Sequence, residues 1–361
     1  MRCTFCLSPQ PAATHNCAVC GAPLALNATT PLLPTSSTRS AVAPPKQTNS
    51  EIELSHVITI KTARDVLATT FLHHTRRDQS AIASLLDDGS VQAWRYQNRD
   101  IAQIEERELL APLRHAPTLA AFNQEIAWSA HDKTLTLRSF ASSTSAHATS
   151  STRCCERAFS TPICRLAASR KSAHIAVATA DGQVHLMGFE NDEIASLWSV
   201  DTLSGVTALA ISEDAAKIAV GKDSGHLALH NRLEARDCWT TDTHSLWVAG
   251  AAFSPNAHAL AIADCNGVLQ IRAAQNSASL QKISLDFAPQ SLSFLDDNRH
   301  LISADAHQFS LVDSWTGRTV SQTLKTQNHE TAKSASVRVC NASEENVFAV
   351  CRSRAIQLWR F

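Results

Sequence analysis

Two pairs of cysteines near the N-terminus have a spacing suited to metal chemistry. Cys3 and Cys6 form one Cys-x-x-Cys pair, and Cys17 and Cys20 form a second pair after ten intervening residues. A pair with this spacing can direct two thiolates from one tight turn towards the same ion, and Zn²⁺ binds four such ligands as a tetrahedron. Four thiolates leave no position for a catalytic water. The sequence therefore predicts a structural Zn²⁺ site.

The segment around these cysteines resembles the N-terminal zinc ribbons that are common in bacterial proteins. Gly21 and Leu24 fall at the expected positions after the second pair, whereas Leu7 replaces the glycine that usually follows the first pair. His15 is an alternative ligand. Because so short a segment cannot bury a core, metal binding should supply its folding free energy, on the order of 10 kcal/mol. We predict a zinc ribbon over residues 1–24.

The overall composition is that of a soluble globular protein without a strong charge. The chain has 32 lysines and arginines against 33 aspartates and glutamates, so no general field favours nucleic acid or an anionic membrane. It shows no signal peptide and no apolar stretch of membrane-spanning length. We therefore predict a cytoplasmic protein with reduced cysteines. The cysteines outside the two pairs, which we interpret mainly as core residues, are Cys154, Cys155, Cys164, Cys238, Cys265, Cys340 and Cys351. A redox role for the adjacent Cys154 and Cys155 is the alternative.

Residues 25–50 differ in composition from the rest of the chain. They are rich in Ala, Thr, Ser and Pro, contain no acidic residue, and have neither helical nor strand periodicity. A flexible coil of this length spans ~30 Å on average. We interpret this stretch as a linker that lets the ribbon reach a partner independently of the main domain.

An internal repeat organises the chain from residue 51 to residue 361. Seven segments of seventeen residues align, and each consists of an apolar strand, a polar turn and a second strand with period-two alternation. The segments begin at residues 80, 124, 173, 216, 258, 299 and 345, so successive starts are 41–49 residues apart. This period is typical of four-stranded propeller blades, at about 40–45 residues.

The segments around each predicted hairpin supply the remaining strands. A short apolar strand precedes each hairpin, and a further strand follows the first six hairpins, as at 195–200 and 278–283. Nothing follows the seventh hairpin, which ends at Phe361. We predict that residues 51–60 provide its missing outer strand, because a blade shared between the termini closes the ring and protects the sheet edges.

The repeat is similar to the WD-repeat family over residues 51–361. Trp94 and Trp359 occupy the family's tryptophan position at the end of the third strand, although each is followed by arginine and the Trp-Asp dipeptide is absent. Thr243 replaces the glycine of the family's Gly-His pair. The residues that follow the family's pattern at one blade boundary are His244, Val248, Ala251, Phe253, Ser254, Pro255, Asn256 and Asp264. The resemblance implies an all-β fold, a seven-bladed WD-repeat-like β-propeller, in addition to the zinc ribbon.

The resemblance implies a non-enzymatic scaffold or adaptor that binds proteins through propeller loops. Trp247 is a candidate partner-binding residue, with packing between blades as the alternative. Arg76 and Arg77, beside His73 and His74, form a second candidate, with a solvated loop as the alternative. We expect no catalytic residues and no cofactor other than structural Zn²⁺.

Two other functions remain open at this point. The ribbon could bind nucleic acid, although charge balance argues against it, or residues from several blades could form an enzyme site in the channel. No phosphate-binding loop, nucleophile elbow or concentrated carboxylate pair is present in the sequence. The alanine- and histidine-rich composition favours a bacterial source. The family then implies protein partners in a complex containing an ATPase or a signalling protein, and we expect no membrane insertion.

Overall fold

The computed structural model describes residues 54–72, 80–87, 91–97, 100–107, 119–122, 125–130, 133–139, 154–169, 172–190, 193–203, 205–232, 237–243, 247–305, 307–323, 338–341, 347–352 and 354–360. The regular elements in these ranges are 28 strands in seven four-stranded antiparallel sheets. No helix in these ranges is long and apolar enough to cross a membrane. The predicted ribbon (1–24), the linker (25–50) and the pair Arg76 and Arg77 lie outside the described residues.

Six of the sheets are built from four consecutive strands in chain order. The first sheet contains β2 (Val66–Leu72), β3 (Ser80–Leu86), β4 (Val91–Gln97) and β5 (Asp100–Arg107). The second contains β6 (Leu119–Phe122), β7 (Glu125–Ala130), β8 (Thr134–Ser139) and β9 (Cys154–Ala158). The third contains β10 (Ile163–Ala168), β11 (His174–Thr179), β12 (Gln183–Glu190) and β13 (Glu193–Asp201).

The next three sheets repeat this arrangement. The fourth contains β14 (Val206–Ile211), β15 (Lys217–Lys222), β16 (His226–Asn231) and β17 (Asp237–Asp242). The fifth contains β18 (Val248–Phe253), β19 (Ala259–Asp264), β20 (Val268–Ala273) and β21 (Ser279–Ser284). The sixth contains β22 (Ser291–Phe294), β23 (His300–Ala304), β24 (Gln308–Asp313) and β25 (Thr319–Thr323). In every sheet the second and third strands come from one of the seven repeated segments, which confirms the predicted hairpins.

The seventh sheet combines the two ends of the described chain. It contains β26 (Arg338–Asn341), β27 (Val347–Arg352), β28 (Ala355–Arg360) and β1 (Ser55–Lys61). β1 pairs antiparallel with β28, from Ser55 opposite Arg360 to Lys61 opposite Ala355. The prediction that the segment before the first repeat supplies the outer strand of the last sheet is confirmed.

The burial of each strand follows from its place in the sheet. In the first strand β14, buried Val206, Ala208 and Ala210 alternate with half-buried residues. In the second strand β19, all six residues are buried. A strand with one covered face alternates, whereas a strand between two neighbouring sheets is apolar on both faces. The alanine-rich second strands therefore lie in the core.

Hydrophobic clusters join neighbouring sheets in the described part of the chain. One cluster packs Ala176, Val184 and Leu186 of the third sheet against Ile218 and Val220 of the fourth. Another packs strands of the seventh sheet against strands of the first. The first strands also contact one another in the cyclic order β2, β6, β10, β14, β18, β22, β26 and back to β2. The sheets therefore follow one another around a common axis.

The ends of the strands form two faces, which we name by their turns. The upper face carries the turns between second and third strands, such as 223–225 and 265–267, and the loops that lead from one sheet to the next. The lower face carries the turns between first and second strands, such as 212–216 and 254–258, and those between third and fourth strands. Every loop or turn of a sheet therefore lies on one of these two faces.

Among the cysteines with described side chains, none forms a disulfide. Cys351 is buried, as a core position requires, whereas Cys155, Cys164 and Cys265 are half-buried. Burial raises the pKa of the Cys164 thiol, although Arg165 beside it acts in the opposite direction. Cys238 is exposed, so its interpretation as a core residue was wrong. It lies on the outer strand β17, where one face of the strand meets solvent.

Candidate functional site

Trp247 is the predicted site residue that lies within the described part of the chain. It immediately precedes β18 on the upper face, and its exposed fraction is 45%. The sequence left open whether it packs between sheets or faces solvent. The structure places a large part of the indole at the surface, while Trp94 and Trp198 are buried.

Buried threonines hold the start of two upper-face loops. Thr202 follows β13, and both its amide and its hydroxyl donate to the carbonyl oxygen of Gly182, at 3.0 and 2.7 Å. Thr243 follows β17, and its amide and hydroxyl donate in the same way to the Gly225 carbonyl oxygen, at 3.0 and 2.9 Å. Each loop is therefore tied to the hairpin turn of the sheet that it leaves, and this fixes the direction in which the next residues project.

Leu203 is the most exposed large apolar residue among those described. Its exposed fraction is 89%, and its backbone has a φ of +57°. This left-handed conformation is unfavourable for a branched side chain. The Asp201 carboxylate stabilises it by accepting the Leu203 amide at 2.9 Å. An exposed leucine held in a strained conformation is a candidate binding residue.

Strand β15 contacts residues next to both Leu203 and Trp247. The Lys222 ammonium donates to the Thr202 carbonyl oxygen at 3.0 Å, next to Leu203. The preceding residue, Gly221, lies so close to Val248 that a Cβ atom there would be 2.6 Å from the valine Cγ1. Val248 follows Trp247 in the chain. We call Leu203 and Trp247, with the described residues next to them in the chain, the upper patch.

The surroundings of the upper patch are acidic. The exposed carboxylates on the upper face of the third, fourth and fifth sheets are Asp181, Asp201, Asp223, Asp242 and Asp286. A hydrogen bond from the Thr179 hydroxyl is the main cause that lowers the pKa of Asp181 below its ordinary value. Asp181 is therefore ionised near neutral pH. A carboxylate oxygen of Asp242 lies 2.7 Å from Nδ1 of the His226 ring, which is hydrogen-bonding distance.

Two of the nearby described cations, Lys222 and Arg165, donate to carbonyl oxygens of the chain itself. Lys222 donates to the Thr202 carbonyl oxygen, and the Arg165 guanidinium donates to the carbonyl oxygens of Thr207 and Cys164 at 3.0 and 2.7 Å. Lys282 lies on the outer strand β21 and is exposed. Among the described residues in this part of the upper face, the exposed carboxylates therefore outnumber the exposed cations.

A cavity of about 220 Å³ opens at the lower end of the central axis. Its described walls come from β10, β14, β18 and β22 and are mostly small and apolar, including Ala167, Ala210 and Ala251. Glu213 is the one ionisable residue among the described lining residues. Within the described ranges no group of three or more His, Cys, Asp or Glu residues could hold a metal ion. The described walls of the cavity therefore form an apolar recess.

A comparison with solved structures identifies the architecture. One match is the crystal structure of the β-propeller domain of Cps50 (Swd1) from Myceliophteria thermophila, with a TM-score of 0.67 and 12% sequence identity. The match covers 86% of this chain and 100% of that chain. The chain folds as a β-propeller. Because 1805 chains of solved structures match, this propeller architecture is common and does not by itself indicate a partner.

Sequence comparisons add no relative to this structural match. No family model matches the propeller, and no curated protein matches it. Function must therefore be argued from the surface of the propeller itself. There, sequence reasoning found Trp247 but missed Leu203. The signal was available, because the same Asp-Thr pair occurs at 201–202 and at 242–243 at the start of both loops.

Proposed function

We propose that the chain is a non-enzymatic protein-interaction scaffold, in which the propeller offers its upper face to a protein partner. The observation that carries this proposal is the upper patch, where Leu203 and Trp247 expose large apolar surfaces on loops tied to rigid sheets. Exposed apolar side chains surrounded by polar groups are typical of protein-binding surfaces. We assign no catalytic role to any residue.

The proposal includes a closed ring of seven blades, each formed by one four-stranded sheet. The cyclic contacts between first strands support this arrangement, as does the pairing of β1 with β28. A ring with both termini in one blade resists opening, because separation of any two blades exposes apolar surface on both. Such a ring is a rigid platform for loops.

The proposal also includes the zinc ribbon as a second recognition module. Cys3, Cys6, Cys17 and Cys20 lie outside the described residues, so this part rests on the chemistry of the donor set. Four thiolates in two Cys-x-x-Cys pairs satisfy tetrahedral Zn²⁺, which would hold the ribbon folded. Two modules on one linker increase avidity, because the second contact becomes intramolecular.

The first experiment measures metal content and partner capture with the full chain. The wild type should contain about one Zn²⁺ per chain, and Cys17→Ser/Cys20→Ser should contain almost none. The wild type should capture defined proteins in stoichiometric amounts from lysate of its source. The double cysteine variant should lose some of these proteins, and Leu203→Asn/Trp247→Ala should lose others.

The controls and the contrary outcomes are equally specific. Leu197→Asn removes an exposed leucine from the outer strand β13, away from the upper patch, and should leave capture unchanged. Capture of nucleic acid in place of protein, abolished by the cysteine substitutions, would support the nucleic-acid alternative. If neither protein nor nucleic acid is captured, the scaffold proposal is wrong.

A further inference from the structure

We propose that the upper patch binds an extended, cationic segment of a partner protein, in which apolar side chains are flanked by arginine or lysine. This inference rests on the proposed scaffold function and specifies the chemistry of its partner. Three features of the described residues carry it: the fixed positions of Leu203 and Trp247, the exposure of both side chains, and the excess of carboxylates around them.

The first feature makes the upper patch a prepared surface. Leu203 follows Thr202, which is anchored twice to the Gly182 carbonyl oxygen, and its amide is held by Asp201. Trp247 is held through its carbonyl oxygen, which accepts the Cys265 amide at 3.3 Å. Because both backbones are fixed before binding, a partner loses less free energy in ordering them. The strained φ of Leu203 therefore serves to present the side chain.

The second feature identifies the apolar part of the partner. The side chains of Leu203 and Trp247 are 89% and 45% exposed, so a partner can still bury most of the first and about half of the second. Tryptophan is enriched among residues that dominate binding energy. Two anchors on neighbouring loops fit a partner segment that places apolar side chains on one side.

The third feature identifies the charge of the partner. Asp201 and Asp223 lie on either side of the Leu203 loop, since the Asp223 amide donates to the Gly205 carbonyl oxygen at 3.0 Å. Asp242 precedes the loop of Trp247. Arginine or lysine beside the apolar anchors would meet these carboxylates, whereas phosphate groups, anionic lipids and acidic peptides would meet like charge. The partner is therefore a cationic protein segment.

The test uses the full chain and two synthetic probes. The first probe is a capped peptide with two leucines flanked on each side by two arginines, and the second replaces every arginine with glutamate. Binding of fluorescently labelled peptide is followed by anisotropy. The arginine probe should bind and weaken when NaCl is raised from about 0.05 to about 0.5 M, because screening shortens the range of the carboxylates' field. The glutamate probe should not bind.

Variants separate the upper patch from general attraction to an acidic surface. Leu203→Asn/Trp247→Ala should weaken the arginine probe about tenfold or more, and Asp201→Asn/Asp223→Asn should weaken it and reduce its salt dependence. Asparagine tolerates the positive φ at 203 and can still accept at 201. The matched control Leu197→Asn should bind as the wild type does. Circular dichroism and urea unfolding establish that each variant is folded.

Two results would overturn the inference. One is equal binding of the probe to wild type and to the folded Leu203→Asn/Trp247→Ala variant, and the other is equal binding of the two probes. Both leave the scaffold proposal standing if partner proteins are still captured from lysate. Conversely, specific probe binding without any captured protein would contradict the scaffold function while supporting the chemistry of the patch.

Discussion

The upper and lower faces of the propeller differ in the residues that adopt a positive φ in their tight turns. Both contain tight turns that need a positive φ. On the upper face, glycine occupies these positions in the turns between second and third strands, as at Gly182 and Gly267, with φ of 86° and 82°. On the lower face, the first-to-second strand turns use Ala215, Ala257 and Asn298, with φ of 55°, 55° and 59°. The lower turns therefore hold residues in a conformation that glycine adopts more easily.

Hydrogen bonds between sheets stabilise the lower turns. The Ser169 hydroxyl donates to the Glu213 carbonyl oxygen at 2.5 Å, and the Asn256 amide donates to the Asn298 side-chain oxygen at 2.7 Å. Lys217 donates to the Ala257 carbonyl oxygen at 3.1 Å, and burial lowers the pKa of its ammonium even though Asp214 opposes the shift. Each turn is thus held by its neighbour. The turns of the lower face therefore link neighbouring sheets by hydrogen bonds, whereas the upper face presents exposed apolar side chains.

The largest expected effect is on the upper face, at Gly267. A Cβ atom there would lie 2.7 Å from the carbonyl oxygens of both Leu285 and Phe287, and the φ of 82° is unfavourable for alanine. Gly267→Ala should therefore lower the free energy of unfolding by about 3 kcal/mol, from backbone strain and overpacking together. Urea denaturation measures this.

Gly317 provides the matched control for Gly267. It also has a positive φ, of 74°, but the atoms nearest to its hypothetical Cβ are side-chain atoms at 3.6 Å or more. Gly317→Ala should therefore cost only the strain, about 1–2 kcal/mol. If the two variants lose equal stability, the close approach of the loop backbone to Gly267 is not what requires glycine.

A smaller effect is expected at the ion pair of the lower face. The Asp313 carboxylate is 3% exposed and accepts from the Arg299 guanidinium at 2.6 Å, while its other oxygen accepts the amides of Trp315 and Thr316. Burial alone would raise the pKa of Asp313, but these hydrogen bonds and the Arg299 charge lower it overall. Asp313→Asn keeps an acceptor but removes the charge. It should cost about 1–2 kcal/mol at neutral pH, since Arg299 is partly exposed and screened.

The pH dependence provides the check on this prediction. Because the pKa of Asp313 is lower in the folded state, its contribution is complete above the unfolded value of about 3.9 and is lost as pH falls through the folded pKa. The difference in unfolding free energy between wild type and Asp313→Asn should therefore shrink on acidification below about pH 4. A difference that stays constant with pH would show that the ion pair contributes nothing through charge.

The smallest effect is a stabilisation on the lower face. Ala257 has a φ of 55°, so Ala257→Gly should relieve about 1–2 kcal/mol of strain and lose about 0.5–1 kcal/mol through the entropy of the unfolded chain. The net gain should be about 0.5–1 kcal/mol, measured as an increase in the urea midpoint. Ala259→Gly, in the buried strand β19, should instead destabilise the protein. Destabilisation by both variants would mean that the positive φ of Ala257 does not strain the folded protein.

Much of the fold could be predicted from the sequence because the repeat is local. Each seventeen-residue segment contains two strands and their turn, so its alternation of apolar and polar residues defines the hairpin without distant contacts. The outer strand at β1 was also predictable, because a count of strands left the last sheet incomplete. Trp359 at the end of β28 and Trp94 in β4 lie on third strands, as the resemblance implied.

The candidate site was less predictable because exposure depends on neighbouring sheets. Trp247 could equally have packed between sheets, and its sequence surroundings do not separate the two outcomes. The repeated Asp-Thr pair marks the start of the Leu203 loop but not the exposure of the Leu203 side chain. The position of Leu203 near Trp247 follows from contacts of β15, from Lys222 to Thr202 and from Gly221 to Val248. Cys238 lies at the surface because β17 is an outer strand.

The sequence by itself determined the repeat, the hairpins, the pairing of the first strand with the last, and a set of four cysteines suited to Zn²⁺. These properties depend on residues that are close in the chain or on the number of strands. The tertiary structure alone decided which loops share a face, which apolar side chains remain exposed, and where carboxylates gather. The physical reason is that both faces are assembled from loops about forty residues apart in the chain, whose proximity arises only when neighbouring sheets pack.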